Sequence, residues 1–114
     1  MLKGNRRQLH EEWASQNAVG AARGANVLVV NPTHIACALK YDEAEGDEAP
    51  VLLASGQGDL ARKIVEAAHA YGVPVLRDVP LARALVALEI GDEIPEALYE
   101  AVAEILKLAW EEPA

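Results

Sequence analysis

The sequence predicts an α/β fold, a small mixed sheet of about four strands covered by about four helices, with an N-terminal helical arm. Three observations carry this prediction. The chain has 114 residues, 52% of them hydrophobic, which suits one domain with a substantial core. Short apolar runs of strand length are bounded by proline, glycine and acidic residues. Segments with apolar residues at helical spacing follow them, and no internal repeat is present.

The first half of the chain contains a polar arm and three strands. Residues 5–22 are polar with a thin apolar stripe, and Arg7 stands four residues before Glu11, a spacing that favours a helix. An acidic loop at 42–48 separates the second predicted strand from the third, and we expect it to be solvated. The strands are predicted from runs rich in Val, Ile, Leu and Ala, at Val27–Val30, Ile35–Tyr41 and Val51–Ala54.

The second half alternates helices with one further strand. A helix beginning at Leu60 has its apolar residues on one face, and we place Gly72 as its C-cap. The fourth strand is predicted at Val73–Leu76. Pro80 opens the next helix and Pro95 the last, because proline is tolerated in a first helical turn. The apolar residues of the last helix keep regular helical spacing: Leu98, Val102, Ile105, Leu106 and Ala109.

The net charge of −8 is unevenly distributed along the chain. Residues 1–24 hold four basic and two acidic residues, whereas the remainder holds six basic and sixteen acidic ones. An acidic body argues against a nucleic-acid partner, because binding to phosphates depends on Lys and Arg. The basic N-terminal stretch suits contact with an acidic surface, including a membrane, and equally suits a solvated helix face.

Composition and run length exclude several other classes of protein. One Cys leaves no disulfide framework and no Cys-rich zinc module, and a single free thiol is typical of a reducing compartment. The longest apolar runs fall far short of the ~20 residues that a membrane-spanning helix needs. Met1 leads into basic and polar residues rather than into an apolar signal segment. We therefore expect a soluble, cytoplasmic piece of a larger protein, with no metal and no cofactor.

The candidate site is Asn31-Pro32-Thr33-His34, between two predicted strands. Ordinary Asn deamidation is blocked there, because it needs the backbone N–H of the next residue and proline has none. The reverse attack remains, in which the Asn31 side-chain nitrogen attacks its own backbone carbonyl, closes a succinimide and expels the Pro32 nitrogen. A fold promotes this reaction by holding the attack geometry and by donating hydrogen bonds to the developing oxyanion. Thr33 and His34 are the natural helpers, His34 through proton transfer.

The same residues also have structural interpretations. Asn-Pro-Thr is a common turn signal, and spacing alone favours that interpretation for the site. Ser55-Gly56-Gln57-Gly58 before a helix resembles a phosphate cradle, but it lacks the Lys and glycine spacing of a P-loop, so we prefer a plain strand-to-helix loop. Trp13 and Trp110 lie in the terminal helices and are expected to anchor them. Structural roles are preferred for the residues that lack metal-ligand spacing: His10, His34, His69 and Cys37.

The stretch Val27–Asp42 (VLVVNPTHIACALKYD) resembles the signature of the export-switch proteins of bacterial type III secretion systems and flagella, the FlhB/YscU family. Residues 6–12 are similar to the linker between that family's membrane part and its cytoplasmic domain. Their sequence resembles the virulence-type (injectisome) branch more than the flagellar one. The similarity covers most of residues 5–110 and continues through further motifs in the family's order: Ala49-Pro50-Val51, Gly72-Val73-Pro74-Val75, the segment from Pro80 to Leu85, and that from Gly91 to Pro95.

The resemblance implies a domain that cuts itself between Asn31 and Pro32. Asn31 is then the attacking residue and Pro32 the leaving side, with Thr33 and His34 in supporting roles. The halves are expected to stay associated, because strands on either side of the cut remain in one sheet. Residues 1–24 become a juxtamembrane linker helix that follows a four-helix membrane domain absent from this sequence, and residues 25–114 become the autocleaving switch domain.

The resemblance also implies what the domain does. The cut remodels a surface, and the export apparatus then switches from early to later secreted substrates, in one intramolecular turnover rather than as an enzyme. Expected partners are other export-apparatus proteins, a substrate-length sensor (ruler) protein, and secreted substrates or their chaperones, at the cytoplasmic face of the bacterial inner membrane. The alternative is a small α/β ligand-binding or regulatory domain that uses the Gly56–Asp59 loop, in which Asn31-Pro32 is only a turn.

Overall fold

The structure, a computed structural model, describes residues 17–32 and 34–111. Residues 17–21 are helical and continue into a 3-10 turn at Ala22–Gly24. The order βββαβαα follows, which confirms the predicted fold class. The strands and helices are β1 Val27–Asn31, β2 Ile35–Lys40, β3 Val51–Gln57, α1 Asp59–Ala70, β4 Val75–Arg77, α2 Val79–Val86 and α3 Tyr99–Glu111, with 3-10 turns at Glu43–Glu45 and Glu96–Leu98.

The four strands form one mixed sheet in the order β3-β2-β1-β4. β1 pairs antiparallel with β2 and parallel with β4, and β2 pairs antiparallel with β3. All five residues of β1 are buried, as expected for a strand with neighbours on both sides and helices over both faces. The candidate site therefore follows β1, one of the two inner strands of the sheet.

Two apolar layers lie on the two faces of the sheet. Side chains alternate along β1, so Val27 and Val29 face one layer and Leu28 and Val30 face the other. The first layer is closed by the buried faces of α2 and α3, and the second by α1 and the helical segment at 17–24. Their principal helical contributors are Leu81, Leu85, Val102 and Leu106 in the first layer, and Ala18, Ala22, Ile64 and Ala68 in the second.

Several element boundaries differ from the sequence predictions. The last helix begins at Tyr99 rather than at Pro95, because the 3-10 turn Glu96–Leu98 lies between them. β3 runs to Gln57, so Ser55–Gln57 are strand and the prediction of a loop there was wrong. The reason is pairing: Ile35 and Gln57 are partners in the β2–β3 register, and the backbone groups at this end of β2 need those partners. β4 begins at Val75 rather than Val73. Gly72, with a φ of 72°, stands one residue beyond the C-cap Tyr71.

The predicted N-terminal arm lies partly outside the described residues, since the structure describes nothing before residue 17. Its described end packs on the domain: Ala18 and Ala22 are buried, and the Arg23 guanidinium carbon lies 4.7 Å from the centre of the Tyr71 ring. Within the described part of the chain, no helix is both long enough and apolar enough to cross a membrane.

Candidate functional site

The candidate site is a tight turn between β1 and β2. Asn31 is the last residue of β1 and pairs with Ile35, the first residue of β2. The His34 backbone N–H donates to the Asn31 carbonyl at 3.0 Å, which closes a four-residue turn with Pro32 in its second position. Proline suits that position because its ring presets the backbone φ angle. Thr33 lies outside the described residues.

Asn31 stands apart from the rest of the buried residues. With 9% of its surface exposed, it is the one polar residue in the buried set of the described chain. Its position before a proline favours extended backbone, and as the last residue of β1 it has that conformation. A side-chain amide and a backbone carbonyl held together away from water interact more strongly with nearby dipoles than they would in solvent. This is the environment in which a fold can influence Asn chemistry.

Backbone hydrogen bonds hold the turn from both flanks. The Asp78 N–H, between β4 and α2, donates to the Val30 carbonyl at 3.1 Å, one residue before the turn begins. The Gly58 N–H, between β3 and α1, donates to the His34 carbonyl at 3.1 Å, where the turn ends. Gly58 has a φ of +59°, a conformation that side-chain-bearing residues rarely adopt, so glycine is needed to present this N–H. Neighbouring elements thus fix both ends of the turn.

The turn borders an open cavity of about 490 Å³ between the sheet and α1. Asn31, Pro32 and His34 all line it, so the structure brings together the described members of the predicted site. On the opposite wall the first turn of α1 contributes Asp59 and Arg62, whose side chains form an ion pair at 3.4 Å. The remaining wall is mainly apolar, from Val30, Ile35, Ala61, Val65 and Val75.

Other sequence candidates lie apart from this cavity or lack the geometry for chemistry. The phosphate cradle that Ser55–Gly58 resembles, for which we preferred a plain loop from the sequence, does not form, because Ser55, Gly56 and Gln57 belong to β3. No three His, Cys, Asp or Glu side chains of the described chain are grouped so that they could hold a metal ion, and His10 lies outside that part. Cys37 is fully buried in β2, and burial raises the pKa of its thiol to about 12, so it is a poor nucleophile.

A second surface feature was missed by the sequence reasoning. An aromatic groove of about 260 Å³ is lined by Tyr41, Glu48, Ala49, Pro50, Tyr99, Ala103, Leu106 and Trp110. Trp110 is 61% exposed and Tyr99 is 46% exposed, so the expectation that Trp110 anchors its helix was wrong. The signal was available: these two aromatic residues are eleven apart, about three helical turns, and fall on one face of α3 at the edge of its buried stripe.

The chain matches the model of the FlhB HrpN YscU SpaS Family over residues 1–109. It is 50% identical over 96 residues to the flagellar biosynthetic protein FlhB of Aquifex aeolicus, a match that covers 83% of this chain and 27% of that protein. It is 42% identical over 111 residues to FlhB of Salmonella typhimurium, covering 96% of this chain and 29% of that one. The chain therefore spans less than a third of the length of these relatives.

Solved structures resemble the fold as well as the sequence. The cytoplasmic domain of FlhB from Shewanella putrefaciens superposes with a TM-score of 0.80 at 36% identity, covering 85% of this chain and 74% of that one. A point variant of the EscU C-terminal domain superposes with a TM-score of 0.80 at 31% identity, covering 92% of this chain and 96% of that one.

Proposed function

The chain belongs to the FlhB HrpN YscU SpaS family of export-switch proteins, and from that premise we propose that its Asn31–Pro32 bond is cut by Asn31 itself and that the cut controls a switch in export. The observation that supports this most strongly is the position of Asn31. It is buried at the end of the inner strand β1, directly before a proline, in a turn held by hydrogen bonds from both flanks.

The proposed reaction is an intramolecular exchange of one C–N bond for another. The Asn31 side-chain nitrogen attacks the Asn31 backbone carbonyl carbon, and the new bond closes a succinimide. The bond from that carbon to the Pro32 nitrogen breaks, and one proton from the side-chain nitrogen is transferred to the Pro32 nitrogen. Water later opens the ring and leaves one carboxylate. The atoms and electrons of this reaction balance without a metal, cofactor or redox partner.

The rate required of such a switch is modest, because each molecule reacts once. A rate of ~10⁻³ s⁻¹ corresponds to a barrier of roughly 21–22 kcal/mol, so limited preorganisation of the turn is sufficient. We assign Thr33 and His34 supporting roles, with His34 accelerating proton transfer without being essential, since Asn31 supplies the nucleophile. By this proposal the protein is a single-turnover switch rather than an enzyme.

The sheet explains why the two halves would remain associated after the cut. β1 belongs to the N-terminal half, and both of its neighbours, β2 and β4, belong to the C-terminal half. Its side chains are buried in both apolar layers. Separating the halves would expose a fully buried strand and break ladders on both its edges, which is costly in water. The cut therefore changes the turn and its surface rather than the fold.

The setting of the switch is proposed from the family. We place the domain at the cytoplasmic face of the bacterial inner membrane, joined through residues 1–24 as a linker to an N-terminal transmembrane domain, with residues 25–114 as the switch domain. Its proposed partners are other export-apparatus proteins, a substrate-length sensor, and secreted substrates or chaperones. The exposed groove at Tyr99 and Trp110 is the surface that suits an apolar segment of such a protein. Assignment to the virulence-type branch stays a prediction.

The intact mass of the purified protein under denaturing conditions tests the cut. We expect two pieces, residues 1–31 and 32–114, whose masses sum to the intact chain if the succinimide survives, or to that sum plus one water if it has opened. Asn31→Ala should remain whole. Asn17→Ala, which removes an Asn that no proline follows, is the matched control and should be cut like the natural chain.

A second variant separates the role of His34 from that of Asn31. His34→Ala should be cut more slowly but to completion, and no cleavage over days would refute the assisting role. A single uncut mass for the natural chain would refute self-cleavage. It would favour the alternative of a ligand-binding or regulatory domain, in which Asn31-Pro32 is only a turn.

A further inference from the structure

The cavity beside the proposed cut contains one opposite-charge pair. In the first turn of α1, Arg62 Nη2 lies 3.4 Å from Asp59 Oδ1, and both residues line the same cavity as Asn31 and Pro32. The two side chains are 69% and 89% exposed, respectively. An exposed ion pair of this kind contributes little to stability, so each member can exchange its partner for another charge at small cost.

We propose that Asp59 and Arg62 bind the two charged chain ends that cleavage creates, Asp59 the new ammonium of Pro32 and Arg62 the new carboxylate of residue 31. This inference rests on the proposed self-cleavage. Neither end is charged in the uncut chain, where both belong to one amide bond. After the cut the Pro32 amine is mostly protonated near neutral pH, and ring opening at either succinimide carbonyl adds water and gives one carboxylate.

The surroundings of the cut favour this pairing. Of the residues that line the cavity, Asp59 and Arg62 carry full charges, His34 is the other titratable group, and most of the rest is apolar. Two new charges beside an apolar wall need solvent or an opposite charge. The hydrogen bond from the Gly58 N–H to the His34 carbonyl holds the start of α1 next to the C-terminal side of the turn. The pair therefore lines the cavity into which both new ends would open.

The consequence is a defined conformation for the cut surface. Ends that exchange into the Asp59–Arg62 pair are held against α1, whereas unpaired ends move freely in solvent. A partner that distinguishes the cut from the uncut state would then meet an ordered, charge-neutral patch at the start of α1.

Charge reversal in two backgrounds tests the proposal. Arg62→Glu is made in the natural chain, allowed to cut to completion as verified by mass, and in the uncut Asn31→Ala chain. Thermal unfolding is measured at one protein concentration, because the cut form is two chains. We expect Arg62→Glu to lower the midpoint by about 1–5 °C more in the cut form than in the uncut form, and 0.5 M NaCl to remove most of that difference.

The matched control is Lys63→Glu, the same charge change at the next residue of α1, which is exposed and does not line the cavity. Lys63→Glu should shift the unfolding midpoint of the cut and uncut forms equally. Equal shifts for Arg62→Glu in cut and uncut protein would overturn the end-pairing inference while leaving the cleavage intact. A natural chain whose mass shows that it is never cut would instead overturn the proposed function, and with it the inference. That result comes from the mass and not from the unfolding midpoint, so the two failures are distinguishable.

Discussion

Gly56 offers a direct test of the packing that supports the site. It lies in β3 opposite Ala36, on the face covered by α1. A Cβ added there would come within 2.6 Å of Leu60 Cγ, 2.9 Å of Leu60 Cδ2 and 3.0 Å of Ile64 Cδ1. Ile64 is fully buried, and Leu60 Cγ is not the flexible end of its side chain. Gly56→Ala therefore has to displace the start of α1.

The expected loss of stability in Gly56→Ala follows from the free-energy cost of overpacking. Inserting an extra methyl into a close-packed core costs about 1–3 kcal/mol, partly offset by the smaller entropy of the unfolded chain, about 0.4–1 kcal/mol. We expect Gly56→Ala to lower the free energy of unfolding by about 1–2 kcal/mol, measured from the urea midpoint at unchanged slope in the uncut Asn31→Ala background. Because Gly58, the residue directly before α1, donates its N–H to the turn, the same substitution should also slow the cut in the natural chain.

Gly24→Ala is the control for the glycine-to-alanine change itself. The nearest atom to a Cβ at Gly24 is Leu53 Cδ1 at 4.0 Å, an ordinary contact, so the free energy of unfolding should change by less than about 0.5 kcal/mol. If Gly56→Ala were as stable as Gly24→Ala, the close approach of α1 to β3, and its role in holding the turn, would be refuted.

Two further predictions concern the helix that follows β4 and the buried thiol. Asp78 Oδ1 accepts a hydrogen bond from the Leu81 N–H at 3.1 Å, which makes Asp78 the N-cap of α2. Asp78→Ala should therefore lower the free energy of unfolding, measured in urea, by about 0.5–2 kcal/mol. Asp78→Asn should retain most of the stabilisation that the cap provides. Burial raises the pKa of Cys37 from 9.0 to about 12, which at pH 9 leaves about five-hundredfold less thiolate in the folded chain than in the unfolded one. Alkylation at pH 9, followed by mass, should therefore be rapid in urea and nearly absent without it, and rapid labelling of the native protein would contradict this burial.

The order of elements could be predicted because the signals are local. Strand-length apolar runs, the prolines that open α2 and precede the last helix, and the regular apolar spacing of α3 each depend on a few neighbouring residues. Their boundaries were less predictable. Ser55–Gln57 contains turn-forming residues, yet it is strand because β2 alongside needs hydrogen-bond partners. That requirement arises from a strand distant in sequence, so no local pattern indicates it.

The candidate site shows the same division. The identity of the reacting groups follows from covalent chemistry, since an Asn before a proline has no competing deamidation. Two adjacent residues of the sequence are enough to show this. The environment of those groups is not. Gly58 and Asp78 are separated by twenty positions along the chain, yet their N–H groups fix the two ends of one turn. The exposure of Tyr99 and Trp110 likewise depends on which face of α3 the sheet covers.

The sequence by itself determined the α/β class, the order of elements and the Asn31-Pro32 bond on which the proposed switch depends, because these are properties of short segments and of covalent structure. The tertiary structure decided that Asn31 ends an inner strand of the sheet, that both neighbours of that strand come from beyond the cut, and that Asp59 and Arg62 line the same cavity as the turn. Strand order and helix docking result from burying apolar area contributed by the whole chain at once, so they are decided only when all the elements are packed together.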